Sequence, residues 1–283
     1  MKFTIPREII FLEVAGYRLK VDVPKELLCW FEDSYSGFLV GAKGGNPEVE
    51  VRIDLSFKVN LTQIPQGCSF KRPFLVMADN CSLGSWHTDT RKAFLSLESK
   101  NPEGKFSLVN FLRLIFSYLV IREKRGALLH AAAVAKDNRG LVFVGPSGAG
   151  KTTIVRLAKG YTVLDDELVL LKRVRKDFFI FPLPAAGAKP NFTSAKNQPY
   201  LLQAIFFLVQ DRSLSIKELT KAQALAKIYS LPAIATESSL QEGIFSFFTS
   251  LVERVSCYDL HFLPVRGVWK CIANTLRQGV KIG

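Results

Sequence analysis

The sequence predicts an α/β chain in two parts: a β-rich N-terminal domain over residues 1–105, then a phosphate-loop (P-loop) α/β domain over residues 106–283. Three observations predict it. Residues 49–57 alternate, with Val49, Val51, Ile53 and Leu55 on one face and Glu50, Arg52 and Asp54 on the other, the period of a half-buried strand. Leu108, Phe111, Leu112, Leu114 and Ile115 then recur at helical spacing, just past a polar stretch at 99–105 where the boundary is placed. Finally, Gly145-Pro146-Ser147-Gly148-Ala149-Gly150-Lys151-Thr152 matches G-x-x-x-x-G-K-[ST], the Walker A pattern, between a buried strand and a helix.

In chain order, residues 3–14 and 17–23 read as strands around a turn at Ala15-Gly16. Residues 41–47 are a loop by their turn residues, and residues 49–57 a strand. A helix spans 106–124 with Ser107 as N-cap. Strands at 128–134 and 141–144 flank a turn at 136–140. The glycine-rich loop feeds a helix over 152–159, and residues 161–164 form a strand ending in Asp165-Asp166-Glu167. Residues 168–171 and 178–181 are strands, and the basic run 172–176 between them is a solvated hairpin tip. Residues 182–199, rich in Pro and Gly, are a long loop and a candidate lid carrying Lys189 and Lys196. A buried strand at 201–209 follows, then helices at 220–228 (Thr220 as N-cap) and 241–255, a strand at 257–262 and a helix at 265–276.

Composition narrows the function classes. Apolar residues are 48% and charged residues 22%, which excludes bulk disorder. The most apolar run, 107–121, is interrupted by Arg113, so no membrane span is expected. The five Cys are scattered without CxxC spacing, which argues against zinc and a disulfide framework. With no signal-peptide pattern at the start, the expected location is the cytoplasm. The net charge of +13 is uneven: residues 1–105 hold 14 Lys+Arg against 13 Asp+Glu, residues 106–283 hold 24 against 12. The second part therefore faces an anionic partner or presents many solvated basic side chains.

The chemistry concentrates in residues 126–172. The loop glycines let successive N–H groups turn toward phosphate oxygens, and the following helix adds its N-terminal dipole. Gly145, Pro146, Ser147, Gly148, Ala149, Gly150, Lys151, Thr152 and Thr153 are the candidate nucleotide-binding residues. Lys151 would reach the β- and γ-phosphates, and the Thr152 hydroxyl would face Mg²⁺. Asp165 stands 13 residues after Thr152. A helix of about nine residues, roughly 14 Å long, just returns the chain for a second, parallel strand ending at the loop's edge. Thr152, Asp165 and Asp166 are the candidate metal ligands; one Asp would hold Mg²⁺ while the other faces a substrate hydroxyl. If Ala135 pairs with Gly140, His130 sits opposite Gly145, where it would bind metal, touch phosphate or tune the base. The candidate catalytic set is Asp165, Asp166, His130 and Lys151; His87 and His261 are read as structural.

Leu128-Leu129-His130-Ala131-Ala132, residues 145–153 and Val163-Leu164-Asp165-Asp166-Glu167 together resemble the catalytic domain of the HPr serine kinase/phosphorylase family. They are similar also to the phosphoenolpyruvate (PEP) carboxykinase nucleotide site, which has the same order of His, loop and Asp-Asp. The match is nearest to HPr-kinase-related proteins of bacterial gene clusters, some of which act in modified-peptide pathways. The resemblance implies an HPr-kinase/PEP-carboxykinase-like P-loop α/β domain behind a β-rich one, with ATP, Mg²⁺ and a phosphoryl acceptor. It implies that His130 is the active-site His, Lys151 and Thr152 the loop pair, and Asp165-Asp166 the acidic pair. The family's Leu-Glu-Ile-Arg-Gly run has no counterpart here; residues 182–195 occupy that part of the chain. HPr as substrate, the reverse reaction and carboxykinase activity are therefore not expected.

The sequence thus leads to an ATP- and Mg²⁺-dependent kinase-like phosphotransferase acting on a hydroxyl, of a peptide or protein Ser/Thr or of a small molecule. An acidic peptide or protein fits the charge, and a homo-oligomer is open. One alternative is a regulator or scaffold that binds ATP and transfers nothing. A second is a nucleic-acid-binding ATPase, against which stands the lack of an aromatic-interleaved basic stripe; nucleic acid is not the expected partner.

Overall fold

The computed structural model describes residues 5–56, 66–99, 101–184, 197–229, 238–262 and 267–278. Two compact units share the chain, one built on residues up to Leu119 and the other on residues from Val120.

In the first unit, β1 (Arg7–Val14) and β2 (Tyr17–Pro24) form the predicted hairpin. Ala15 (φ 53°) and Gly16 (φ 81°) close it as a two-residue turn with both central residues left-handed. A helix not foreseen from the sequence, α1 (Leu28–Tyr35), follows and buries Phe31 and Tyr35. The remaining strands are β3 (Leu39–Val40), β4 (Val49–Ser56), β5 (Gly67–Lys71), β6 (Phe74–Asp79), β7 (Ser82–His87) and β8 (Lys92–Glu98). They make one sheet in the order β3-β1-β2-β4-β8-β7-β6-β5. The alternation holds over 49–53, with Val49, Val51 and Ile53 buried and Glu50 and Arg52 exposed; Asp54 and Leu55 are both half-buried, and residue 57 lies outside the described residues.

The long helix α2 (Gly104–Arg122) begins two residues before the predicted start at 106, and the division between the units falls within it, at 119/120, rather than near 105. Up to Leu119 it belongs to the first unit. Phe111 lies so close over Gly84 that a Cβ there would stand 2.5 Å from the ring, and Tyr118 meets Trp86 edge-on at 4.8 Å. Ser107 is not the N-cap. The helix begins three residues earlier, where Asn101 accepts from Glu103 N (3.0 Å) and Gly104 N (3.1 Å), and the Ser107 hydroxyl donates back to Glu103 O at 3.4 Å. By length and composition α2 is long and apolar enough to cross a membrane, but 83% of the qualifying window is buried inside the protein.

The second unit is built on β9 (Gly126–Lys136), β10 (Arg139–Val144), β11 (Thr162–Asp165), β12 (Leu168–Val174), β13 (Asp177–Phe181), β14 (Tyr200–Gln210), β15 (Ser215–Glu218) and β16 (Ser256–Phe262). Their order is β10-β9-β12-β13-β14-β16-β15, and β10 also pairs with β14, so five strands close into a ring. Among the described residues four helices accompany it: α3 (Lys151–Arg156), α4 (Lys221–Tyr229), α5 (Ser238–Val252) and α6 (Val268–Gln278). β9 is buried on both faces apart from half-buried His130 and exposed Lys136, which is why the rest of its sequence is apolar. Leu129, Ala131, Ala133 and Ala135 share a core with Ala224 of α4 and Phe247, Phe248 and Leu251 of α5. Ala132 and Val134 share the other with Ile154 of α3 and Val268 and Ile272 of α6.

Thr220 caps α4 as predicted. Its hydroxyl accepts from Gln223 N (3.3 Å), while Gln223 Oε1 accepts from Thr220 N (3.0 Å), a reciprocal capping box. Thr220→Ala is expected to cost about 1 kcal/mol and to lower the melting temperature by about 3 °C in scanning calorimetry.

Candidate functional site

Hairpin β9–β10 has the predicted register. Gly140 pairs with Ala135 and the ladder runs to Val144–Ala131, one rung short of Gly145 and His130. β10, β14 and β16 are parallel, so the loop after β10 opens at the carboxyl ends of all three. That edge is where open α/β sheets place ligands.

Gly148 (φ 79°) and Gly150 (φ 101°) take left-handed conformations, and Gly150 is the N-cap of α3. A Cβ on Gly150 would also stand 3.0 Å from the Phe262 ring at the end of β16. Gln210, at the end of β14, donates from Nε2 to Gly148 O at 2.8 Å. These two supports went unread in the sequence, since nothing local ties residues 210 and 262 to a loop at 145–150. Gly150→Ala combines backbone strain of roughly 1–2 kcal/mol with this close approach, and about a tenfold loss of polyphosphate affinity is expected in calorimetry.

Lys151 is 7% exposed. Its Nζ donates to Gly145 O (2.8 Å) and Pro146 O (3.0 Å), curling back over the loop, and burial lowers its pKa from the usual lysine value. A phosphate would restore a counter-charge that the two carbonyls replace only in part. Helix α3 has six residues rather than the predicted eight. At about 9 Å it has little macrodipole, so anion binding would rest on the loop amides and Lys151.

The acidic strand runs parallel to the loop strand, as predicted. β11 runs in the same direction as β10 but does not neighbour it; both pair antiparallel with β9, which lies between them. The hairpin partner already occupies the near edge of β9, so the returning chain takes the far edge and continues into β12, with Leu168 opposite His130. The acidic pair still reaches the loop, by way of a bulge between Val163 and Asp165.

The two carboxylates end in different places. Asp166 faces the loop, and the Thr152 hydroxyl donates to its Oδ2 at 3.4 Å. Asp165 is 4% exposed, and its Oδ1 accepts from Glu167 N (2.8 Å) and Leu168 N (3.2 Å). A cleft of about 300 Å³, at the small end of the range for ligand sites, brings His130 and Asp166 together with Ser147, Gly148, Gly150, Lys151, Thr152 and Thr153. Asp165 is not on its wall; nor are Gly145, Pro146 and Ala149.

Among the described residues no group of three or more His, Cys, Asp or Glu is placed to hold a metal. The donor set present, one hydroxyl and one carboxylate, fits Mg²⁺, which usually takes one or two protein ligands and completes its shell with phosphate and water. Of the candidate lid, residues 185–196, with Lys189 and Lys196, lie outside the described residues. The basic run 172–176 is a hairpin tip, turning at Arg175 (φ 57°) with Val174 opposite Asp177. His261, read as structural, pairs with Asp211 at 2.8 Å, and its hydrogen bond holds the Asp211 carboxyl below the usual range.

No curated protein matches this chain. Among solved structures, the HPr(Ser) kinase/phosphatase from Coxiella burnetii is 11% identical, with 53% of this chain and 94% of that chain covered. Its TM-score of 0.30 is too low to carry fold or activity across. A family model described as SynChlorMet cassette protein ScmC matches residues 98–273, more than half of the chain and all of the loop–hairpin–acidic-strand assembly. On that match the chain belongs to the ScmC family.

Proposed function

We propose that the second unit is a phosphotransferase domain that takes the terminal phosphoryl group of ATP to an acceptor hydroxyl, and that the first is a separate β-rich domain. The carrying observation is the meeting of a phosphate-type loop, its buried Lys151 and a Thr152–Asp166 pair in one cleft. The loop amides and Lys151 would hold the β- and γ-phosphates. Thr152 and Asp166 would hold Mg²⁺, which supplies charge neutralisation on the phosphates.

His130 is then the titratable group left on the cleft wall for an acceptor. It would orient the hydroxyl and take its proton as the new P–O bond forms and the bond to the leaving ADP breaks. Catalysis would be positioning and electrostatics, without a covalent enzyme intermediate. The acceptor is a peptide or protein Ser/Thr or a small hydroxylated molecule.

Calorimetry of ATP with and without Mg²⁺ tests the reading, followed by assay for ADP with candidate acceptors. Mg²⁺-dependent binding and acceptor-dependent ADP formation are expected. A folded chain that binds no nucleotide would overturn the proposal. Binding without product would mark an ATP-holding regulator instead.

A further inference from the structure

The adjacent carboxylates at 165 and 166 invite one description as a catalytic pair, but their surroundings divide them. Asp165 closes β11 opposite Ala133, and Leu168 opens β12 opposite His130, in the same register along β9. Between these rungs the chain bends away from the ladder, while Ala131 N donates to Glu167 O at 3.1 Å. A chain leaving a buried sheet strands backbone N–H groups, and each must find an acceptor. The N–H groups of Glu167 and Leu168 find the same one, Asp165 Oδ1. Asp and Asn side chains have the length for this local bond to residues two and three further on. The turn so fixed brings residue 166 to the cleft, where Oδ2 accepts from Thr152.

We propose that Asp165 is a positioning residue that holds the 165–168 turn, and that Asp166 alone of the pair works in the cleft. This rests on the reading that the cleft takes ATP and Mg²⁺, but its structural half can be tested without that reading. It predicts that residue 165 needs an acceptor oxygen and not a negative charge, whereas residue 166 needs the charge.

The experiment compares the full chain with Asp165→Asn, Asp165→Ala and Asp166→Asn. ATP affinity is measured with and without Mg²⁺, and amide hydrogen exchange is followed over 162–170. Asp165→Asn keeps the oxygen; it should bind ATP–Mg²⁺ within about threefold of wild type and keep Glu167 and Leu168 protected. Asp165→Ala should lose that protection and, with it, most of the Mg²⁺ benefit. Asp166→Asn should keep the protection while its affinities with and without Mg²⁺ converge.

The proposal is overturned if Asp165→Asn loses the Mg²⁺ benefit with protection unchanged, because Asp165 would then be a ligand. It is overturned equally if Asp166→Asn keeps the benefit. Should Asp165→Asn fail to fold, the wild-type exchange decides: slow exchange at Glu167 and Leu168 supports the turn, and fast exchange sinks it. If wild type binds no nucleotide, the functional reading falls, while the contrast in exchange between Asp165→Asn and Asp165→Ala still decides the positioning role.

Discussion

Lys151→Ala is expected to weaken ATP binding by about two orders of magnitude. The ammonium would make charge-assisted bonds to two phosphates; at roughly 1.5–3 kcal/mol for a bond to a charged group, losing them costs about 3 kcal/mol or more. The folded chain should tolerate the change. Two bonds to Gly145 O and Pro146 O go, but so does a cation that is costly to bury. Calorimetric titration and thermal unfolding of the same variant separate the two effects.

The pH dependence gives a second reading of the same lysine. Burial lowers the Lys151 pKa below 10.5 in the folded chain. Below that lowered pKa the lysine is protonated in both folded and unfolded states. Between it and 10.5 the unfolded chain binds the extra proton, so this group makes stability rise with pH across that window. Phosphate binding has the opposite sign, because only the protonated lysine attracts the anion. Affinity should fall as pH climbs through the lowered pKa. Both slopes should vanish in Lys151→Ala, as titrations and melts between neutral and alkaline pH would show.

Phe143→Ala should strongly destabilise the second unit. Phe143 is fully buried on β10, the strand that carries the phosphate loop. Its ring stacks on Phe206 at 5.5 Å and meets Trp269 edge-on at 5.6 Å. Removing a buried phenyl costs about 3–5 kcal/mol, and the lost ring pairs belong to that sum. The melting temperature of the second unit should fall by roughly 10 °C. Below the new transition, ATP affinity should stay near wild type, since no loop atom is changed. A drop in affinity with an unchanged melt would contradict this account.

Much of the site could be read along the chain because its determinants are local. The loop needs glycine at left-handed positions and a lysine and threonine at the start of α3, and a contiguous octapeptide states all of that. The β9–β10 register follows from the tight turn at Asp137-Asn138, where both residues have positive φ (52° and 61°). The capping box at Thr220–Gln223 spans only four residues. Where the sequence reading failed, the cause was distant. Ser107 has a capping side chain, but Asn101 and Glu103 begin the helix sooner. The spacing predicted a parallel acidic strand but not its neighbours: β9 lies between it and β10, whose other edge pairs with β14, some sixty residues further along the chain.

By itself, then, the sequence determined the loop, its lysine and threonine, the hairpin that brings His130 near them, and the presence of an acidic pair. These are consequences of backbone conformation and spacing within about forty residues. Only the tertiary structure decided that β9 stands between the loop strand and the acidic strand, and that Gln210 and Phe262 brace the loop. It alone separated the two carboxylates, setting Asp165 against backbone amides and Asp166 against Thr152. The physical reason is that adjacent residues share a sequence context but not an environment. Between Asp165, opposite Ala133, and Leu168, opposite His130, the chain turns out of the ladder, setting one side chain against backbone amides and the next toward the cleft, and β9 holds the chain on either side of that turn.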